Sequence, residues 1–297
     1  MKRTHAWKIF LDGMQSYGIL RTIMRKPVRL VLLVALFAPI RLLADNGTAY
    51  SLGVFPHLPP RDLEKVFAPL AGDLGKAVNK KVMLGSSATF DKFAANLDEE
   101  EYDIAFVQPF DYVRAADEHG YLPLATRKEK LSAIIVTGEN SPVKSVADLR
   151  GKKLALPPSS SAVSRLLRAY LRNHGIDPDR DIELIHYRTH FSCMQQVIIG
   201  EVMACGTAPP TRHYFESKYN VTLPIIAETR GIPHALWIIH KRVPLKDREI
   251  ILQRILSWGK TKEGKRMLAD GRLAPYVPVT DAAYNIVRKL AKQASAR

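Results

Sequence analysis

Residues Leu154–Arg172 read LALPPSSSAVSRLLRAYLR: an apolar strand pattern, two prolines, three serines and an amphipathic helix pattern. A helix start leaves about four backbone N–H groups without intrahelical partners, and the helix dipole places roughly half a positive charge there. One serine is enough to cap such a start. Ser159, Ser160 and Ser161 together can therefore offer further hydroxyls to a bound oxyanion. The alternative is an ordinary capped helix that follows a polar loop.

This segment belongs to a chain that alternates apolar strands with amphipathic helices from Ala49 onward. Residues 61–79, for example, carry apolar side chains close to the 3.6-residue period of a helix. The alternation predicts an α/β fold with largely parallel sheets, whose strand ends bind ligands. Two similar cycles indicate two lobes. We expect a first lobe at 45–137, a second at 138–236, and a return to the first lobe with C-terminal helices at 237–297.

The first 44 residues differ from the rest of the chain. Basic residues precede the apolar run Leu30–Ile40, which is followed by RLLADNG. This arrangement is typical of a secretory signal, and the run is shorter than the about 20 residues of a membrane span. We therefore expect export to the periplasm with processing at Ala44. An N-terminal membrane anchor that is not cleaved is the alternative, and it would be the protein's contact with the membrane.

The charge balance is basic. The chain has 44 Lys and Arg against 29 Asp and Glu, and beyond residue 44 the numbers are 36 and 28, a net charge of +8. This surplus suits an anionic ligand or an anionic membrane surface, although most of it is expected to be solvated. No basic run is interleaved with aromatic residues, so nucleic acid is not predicted as a partner. The histidines show no paired ligand spacing, so no metal or cofactor is predicted.

The two cysteines, Cys193 and Cys205, leave two alternatives open. In an exported protein they can form a disulfide if their Cα atoms lie within about 7 Å. Otherwise they are small buried apolar residues. A serine near a histidine also suggests a hydrolase, but the chain has no G-x-S-x-G motif, and no acid near the serines orients His190. Catalysis is therefore not predicted.

Several motifs together resemble the periplasmic phosphate-, phosphite- and phosphonate-binding proteins of ABC importers. The resemblance covers Tyr50–Ala208 in one order over both lobes, and the ordered set is more specific than any single motif. The matching segments are YSLGVFPHLPPRDLEKVFAPLAGDLGKAVNKKV (50–82), YDIAFVQPFDYVRA (102–115), LSAIIVTGENSPV (131–143), SPVKSVADLRGKKLALPPSSSAVSRLLRAYL (141–171) and THFSCMQQVIIGEVMACG (189–206).

The resemblance implies a two-lobed periplasmic-binding-protein fold of the venus-flytrap kind, type II-like, which closes on a ligand without catalysis. The implied ligand is a small oxyanion such as phosphate, phosphite or a phosphonate, and the implied partner is an ABC permease. The alternative function is a membrane-retained sensor of the same fold for a different small ligand. N-terminal processing distinguishes a transport protein from such a sensor.

The resemblance also implies the residues of the binding site. Ser159, Ser160 and Ser161 would donate to the oxyanion, and the other implied ligand-binding residues are Tyr112, His190, Ser132, Phe55 and Gln108. Tyr112 would donate its phenol from the opposite lobe; the alternative is a residue of a helix interface. A positive charge is unfavourable at a helix start, so His190 is expected to be neutral. The alternative for His190 is an exposed histidine or one that supports the site without touching the ligand. The alternative for Ser132 is a hydroxyl on an ordinary strand.

Three positions depart from the pattern of the family. Ala162 stands where the family has glycine, so a ligand is expected to approach the backbone less closely there. Phe191 and Met203 stand where the family has acids. An amine buried without an acidic partner would be costly. We therefore expect that an aminoalkyl phosphonate is not the favoured ligand.

Overall fold

The computed structural model describes residues 49–295. The predicted signal or anchor at 1–44 lies outside these residues. The strands are β1 (Tyr50–Val54), β2 (Val82–Ser86), β3 (Ile104–Val107), β4 (Tyr121–Arg127), β5 (Lys130–Leu131), β6 (Ile134–Thr137), β7 (Lys153–Leu156), β8 (Glu183–His186), β9 (Ala204–Thr207), β10 (Ile225–Glu228), β11 (Ile232–Pro233), β12 (Leu236–His240) and β13 (Tyr276–Pro278).

The helices begin where the sequence places start signals. Proline opens α1, α3 and α6, and Ser or Thr side chains cap α2, α4, α5 and α8. The helices are α1 (Pro60–Val78), α2 (Phe90–Asp98), α3 (Pro109–Glu118), α4 (Ala162–Asn173), α5 (His190–Ile198), α6 (Pro209–Tyr219), α7 (Leu245–Ser257), α8 (Lys262–Asp270) and α9 (Asn285–Ser295). No helix among the described residues is long and apolar enough to cross a bilayer.

Two mixed sheets form the centres of two lobes. The larger sheet has the order β13-β4-β12-β3-β1-β2, and the smaller has the order β10-β6-β9-β7-β8. In each sheet three parallel strands (β2-β1-β3 and β8-β7-β9) are followed by an antiparallel strand, β12 or β6. This shared order confirms the two-lobed α/β fold that the repeated cycles predict.

The chain crosses between the lobes at a short antiparallel pair. Leu131 in β5 pairs with Ile232 in β11. The crossing comes earlier than the sequence pattern suggests, because residues 134–137, expected at the end of the first lobe, form β6 of the smaller sheet. All four residues of β6 are buried and pair with β9, so their burial fits either sheet and only the strand pairing assigns them.

The C-terminal segment adds to the larger sheet and its helices. Helices α7 and α8 pack on α1, and β13 pairs with β4. Helix α9 contacts α3 of the first lobe and α4 of the second. The last helix therefore lies across the junction of the lobes, beside the helix that carries the serines.

An aromatic core supports the edge of the larger sheet. The ring centroids of Phe106 and Trp237 lie 5.3 Å apart, and Phe67 lies 5.5 Å from Phe106. Phe55, the first residue after β1, lies 5.7 Å from Phe106. Buried aromatic pairs of this geometry are worth about 0.5–1.5 kcal/mol beyond their buried area. The loop that leaves β1 therefore starts from a rigid base.

Candidate oxyanion-binding cleft

The ends of the strands in both sheets carry the loops that the sequence predicts for binding. In the larger sheet, β1 and β3 lead directly into Phe55 and Gln108. In the smaller sheet, β7 leads into residues 157–161, and β8 leads through a short loop to His190. Ser132 precedes β6, whose first residue pairs with the last residue of β9. Each lobe therefore presents its predicted residues along one edge, as expected for an open α/β sheet.

Gln108 joins the two edges. Its Nε2 donates to the carbonyl oxygen of Ser160 at 2.9 Å, and its Oε1 accepts from the backbone N–H of Ala162 at 2.8 Å. Nε2 also donates to Asp111 Oδ2 at 2.9 Å, and the side chain is only 3% exposed. An oxygen atom therefore reaches the N–H of Ala162, so the alanine that replaces glycine leaves the backbone accessible there.

The start of α4 keeps hydrogen-bond donors free. Ser161 is its N-cap, and Ser161 Oγ accepts from the N–H of Ser164 at 3.2 Å. The N–H of Val163 and the hydroxyls of Ser159 and Ser160 have no hydrogen-bond partner among the residues that the structure describes. Three free donors at the positive end of a helix dipole suit a tetrahedral oxyanion. One of the three serines caps the helix, and the other two have free hydroxyls.

Hydrogen bonds and close packing beneath residues 157–161 hold the loop that carries the serines. The carbonyl oxygen of Pro157 accepts from Ser164 Oγ at 2.9 Å and from His186 Nδ1 at 2.7 Å. Helix α4 lies so close to β9 that a Cβ on Gly206 would overlap with Leu156 and Leu167. A larger residue at position 206 would push α4 away from the sheet. The donors at the helix start are thus preorganised by the strand beneath them.

His190 begins α5 on the same edge. Its Nδ1 lies 3.0 Å from the hydroxyl of Thr207, and the side chain is half-buried. Desolvation lowers the pKa of His190 to about 4, so the imidazole is neutral at neutral pH. This is the protonation state that its position at a helix start predicts. Direct contact with a ligand stays a prediction for this residue.

Cys193 and Cys205 form a disulfide, which settles the alternative that the sequence left open. Their Cα atoms are 5.7 Å apart, within the range for such a bond. The bond joins the first turn of α5 to β9. It therefore fixes the helix start that carries His190 beside the strand that carries Thr207.

Tyr112 makes a contact other than the implied one. Its hydroxyl donates to Asp281 Oδ1 at 2.6 Å, and its ring meets that of Tyr284 edge-on at 4.7 Å. The side chain is fully buried, and burial together with the Asp281 carboxylate raises the pKa of Tyr112. Arg288 donates to the same carboxylate oxygen at 2.7 Å. These contacts tie α3 to the C-terminal segment, which fits the alternative of an interface residue.

Two further residues that the resemblance implies for ligand binding, Ser132 and Phe55, contact other residues of the protein. Ser132 Oγ donates to Glu228 Oε1 at 2.8 Å, so this hydroxyl supports the crossing strands. The Phe55 ring stacks on the ring of His57 at 4.4 Å. Phe55 therefore belongs to the aromatic cluster at the end of β1, and its contact with a ligand stays a prediction.

Met203 and Phe191, which stand where the family has acids, lie in different surroundings. Met203 precedes β9, at the end of the strand opposite to Thr207, and is 36% exposed beside a cavity of ≈ 460 Å³ that Gly138 and Val197 also line. Four strand residues span about 13 Å, so Met203 does not reach the serine edge. Phe191 packs against α6, with its ring 5.3 Å from that of Phe215. The replacement of an acid by Met203 therefore no longer supports the expectation that aminoalkyl phosphonates are disfavoured.

A cluster of one arginine and two histidines at the edge of the larger sheet is not predicted from the sequence. Arg127 ends β4, His57 follows β1, and His234 precedes β12. Desolvation lowers the pKa of His57 to about 4 and that of His234 to about 3, and the charge of Arg127 lowers both further. The His57 side chain is nevertheless exposed to solvent. His57, His234 and His190 of the other lobe all lie at the strand ends that face the cleft and all have lowered pKa values, and we refer to them as the edge histidines.

A signal for this cluster exists in the sequence. Arg127 ends the strand pattern YLPLATR directly before the crossing, and His57 comes two residues after Phe55. Both therefore lie at or just after strand ends, and so do the serines. Basic residues beyond the N-terminal segment are, however, usually solvated, and periodicity alone does not separate a cleft residue from a surface one.

Two sheets of one strand order, joined by crossing strands and meeting at a donor-rich edge, define a two-lobed periplasmic binding protein. Residues 52–284 match the family described as ABC transporter, phosphonate, periplasmic substrate-binding protein, and the chain belongs to that family. The resemblance stated from the motifs is confirmed. The family is one of substrate-binding transport proteins, with a small-molecule ligand and a permease partner.

Solved structures share the fold. The structure of PhnD1 from Prochlorococcus marinus in complex with methylphosphonate has a TM-score of 0.75 at 15% identity, covering 85% of this chain and 100% of that one. A binding protein component of an ABC phosphonate transporter from Pseudomonas aeruginosa has a TM-score of 0.72 at 14% identity, covering 83% and 86%. A Xanthomonas citri protein bound to ATP has a TM-score of 0.69 at 14% identity, covering 83% and 97%.

Proposed function

We propose that this protein captures a small phosphorus oxyanion (phosphate, phosphite or a phosphonate) between its lobes and delivers it to an ABC permease. The observation that carries the proposal is the start of α4, where Ser159, Ser160 and Val163 keep free donors beside the opposite lobe. A closed cleft of this kind binds by desolvated, preorganised hydrogen bonds and releases by opening.

Gln108 supports the proposal, because its amide oxygen already accepts from the N–H of Ala162. Hydrogen bonds to an ionised acceptor are roughly twice as strong as those to a neutral one. A phosphoryl oxygen at the same helix start would therefore form stronger bonds than the neutral amide does. It would also engage the free hydroxyls of Ser159 and Ser160, which the amide leaves unpaired.

The test is a thermal-shift and calorimetric titration of the full chain with phosphate, phosphite, methylphosphonate, 2-aminoethylphosphonate and sulfate. A ligand at 100 times its Kd stabilises the folded state by about 2.7 kcal/mol. We expect at least one phosphorus oxyanion to shift the melting temperature, and Ser160→Ala to weaken its binding about tenfold or more through loss of a charge-assisted bond.

The matched control is Ser217→Ala, which makes the same chemical change on the exposed face of α6. It should bind as the wild type does. If no phosphorus compound shifts the melting temperature, or if Ser160→Ala binds as tightly as Ser217→Ala, the serine loop is only a helix cap and the proposal is wrong.

A further inference from the structure

Arg127 has an unsatisfied donor at the edge of the first lobe. Its side chain is 23% exposed, and its Nε is buried without a hydrogen-bond partner among the described residues. The nearest carboxylate, Glu129 Oε2, lies 3.7 Å away from Nε on a side chain that is itself 59% exposed. Leaving a buried donor of a charged group unpaired costs free energy, so native proteins rarely keep one without a reason. An anionic ligand would supply the missing acceptor.

The neighbouring histidines define what this cluster can bind. The N–H of Ala235 donates to His234 Nδ1 at 2.8 Å, so the proton of the neutral ring is on Nε2, which is a donor. His57 Nδ1 lies 2.9 Å from the carbonyl oxygen of Phe55 and must donate to it, so His57 Nε2 is an acceptor. The cluster therefore offers one cation and one neutral donor, Arg127 and His234.

Strand pairing places Arg127 and the neighbouring histidines on the same sheet edge as Gln108, which contacts Ser160. Leu236 pairs with Val107 on one side and with Thr126 on the other. Gln108 directly follows β3 and Arg127 is the last residue of β4, so they lie at the ends of strands that are two spacings apart, about 10 Å. The charge of Arg127 acts on the histidines that follow β1 and precede β12. Its charge also acts on Tyr276 in β13, on the other side of β4, so the guanidinium lies at this edge between the neighbouring strands.

We infer that the favoured ligand is a phosphonate with a second acidic group, a carboxylate on a short carbon chain, with the phosphoryl group at the start of α4 and the carboxylate at Arg127 and His234. This inference rests on the proposed function, because it needs the phosphoryl group at the serines. Arg127 pairs well with a carboxylate, since its planar guanidinium can form two parallel bonds. An aminoalkyl chain would instead bring an ammonium beside the guanidinium, and like charges repel.

The test is calorimetry on the full chain with methylphosphonate, phosphonoacetate, 3-phosphonopropionate, 2-aminoethylphosphonate and succinate. The wild type should bind at least one carboxyalkyl phosphonate about tenfold or more tightly than methylphosphonate. Arg127→Gln should abolish that preference, and Arg127→Lys should retain part of it because it retains the charge. Arg61→Gln removes a charge from an exposed position on α1 and should keep the wild-type preference. Circular dichroism melting of each variant checks that it is folded.

The outcomes separate this inference from the proposed function. If methylphosphonate binds and a carboxylate adds no affinity, or if Arg127→Gln keeps the preference, the inference is wrong and the proposed function stands. If succinate binds through Arg127 and no phosphorus compound binds, the proposed function is wrong and this inference fails with it. If Arg127→Gln does not fold, Arg127→Lys and the wild-type ligand series still decide the result.

Discussion

Gln108→Ala should open the ligand-free protein. The substitution removes the side chain whose two hydrogen bonds, to the carbonyl of Ser160 and the N–H of Ala162, join the lobes in this structure. Both bonds exist only when the lobes are together. Their loss therefore destabilises the closed state and leaves the open state almost unchanged.

The size of the effect follows from those two bonds. Each hydrogen bond contributes about 1 kcal/mol net, so the closed state loses about 2 kcal/mol relative to the open state. Since 1.4 kcal/mol is a factor of ten, the ratio of closed to open protein falls about 30-fold. A ligand-free population that is about 90% closed would become about 25% closed. Asp111 also loses a donor, which lowers the free energy of unfolding separately.

Small-angle X-ray scattering of the ligand-free protein measures this change as an increase in the radius of gyration. The control is Gln253→Ala, the same substitution at an exposed position on α7, which should scatter like the wild type. Thermal unfolding of both variants separates a loss of stability from lobe opening. If Gln108→Ala and the wild type give the same radius of gyration, both matching the closed form, these two hydrogen bonds do not hold the lobes together.

Three further predictions concern the supports of the cleft. Tyr112→Phe should lower the free energy of unfolding by about 2 kcal/mol through loss of the charge-assisted bond to Asp281; weaker ligand binding at full stability would instead indicate a direct ligand contact. Replacing Cys193 and Cys205 by alanine should lower the free energy of unfolding in urea by about 3 kcal/mol, because the disulfide closes a loop across 12 positions. Unfolding of the variant at the same urea midpoint and with the same slope as the wild type would contradict this. Stability should fall between about pH 6.5 and pH 4, because the edge histidines remain neutral in the fold while the unfolded chain takes up protons. Each contributes at most about 1.4 kcal/mol per pH unit, less for the accessible His57, and a flat profile over that range would show that these rings already titrate normally.

Depressed histidine pKa values make the fold less stable as the pH falls. A histidine whose pKa is depressed in the fold gives its full stabilisation above the unfolded value near 6.5 and loses it as the pH falls through the folded value. For His190 that value is about 4. The carboxylates that form ion pairs in the fold lose their stabilisation at lower pH, so the histidines dominate the decline in the upper part of this range.

The serine-led helix start could be predicted because its determinants are local. Helical periodicity, the prolines and the Ser161 cap depend on residues within a few positions of one another, and the structure places α4 at Ala162–Asn173 as they indicate. The strand–helix alternation and the ordered motifs also gave the two-lobed class and the family. The crossing point was less accessible, since the buried residues of β6 suit either sheet until their partners are known.

The α/β cycles, the serine-led helix and the class of protein can be predicted from the chain, because each rests on short-range patterns. Which polar groups find hydrogen-bond partners depends instead on the tertiary packing. Gln108 finds Ala162 across 54 positions, and Tyr112 finds Asp281 across 169. Neither partner is encoded in a local period, because it depends on how the lobes and the C-terminal segment come together. The same packing leaves Arg127 with a buried, unpaired donor, and a donor without a partner is visible only when all its neighbours are in place.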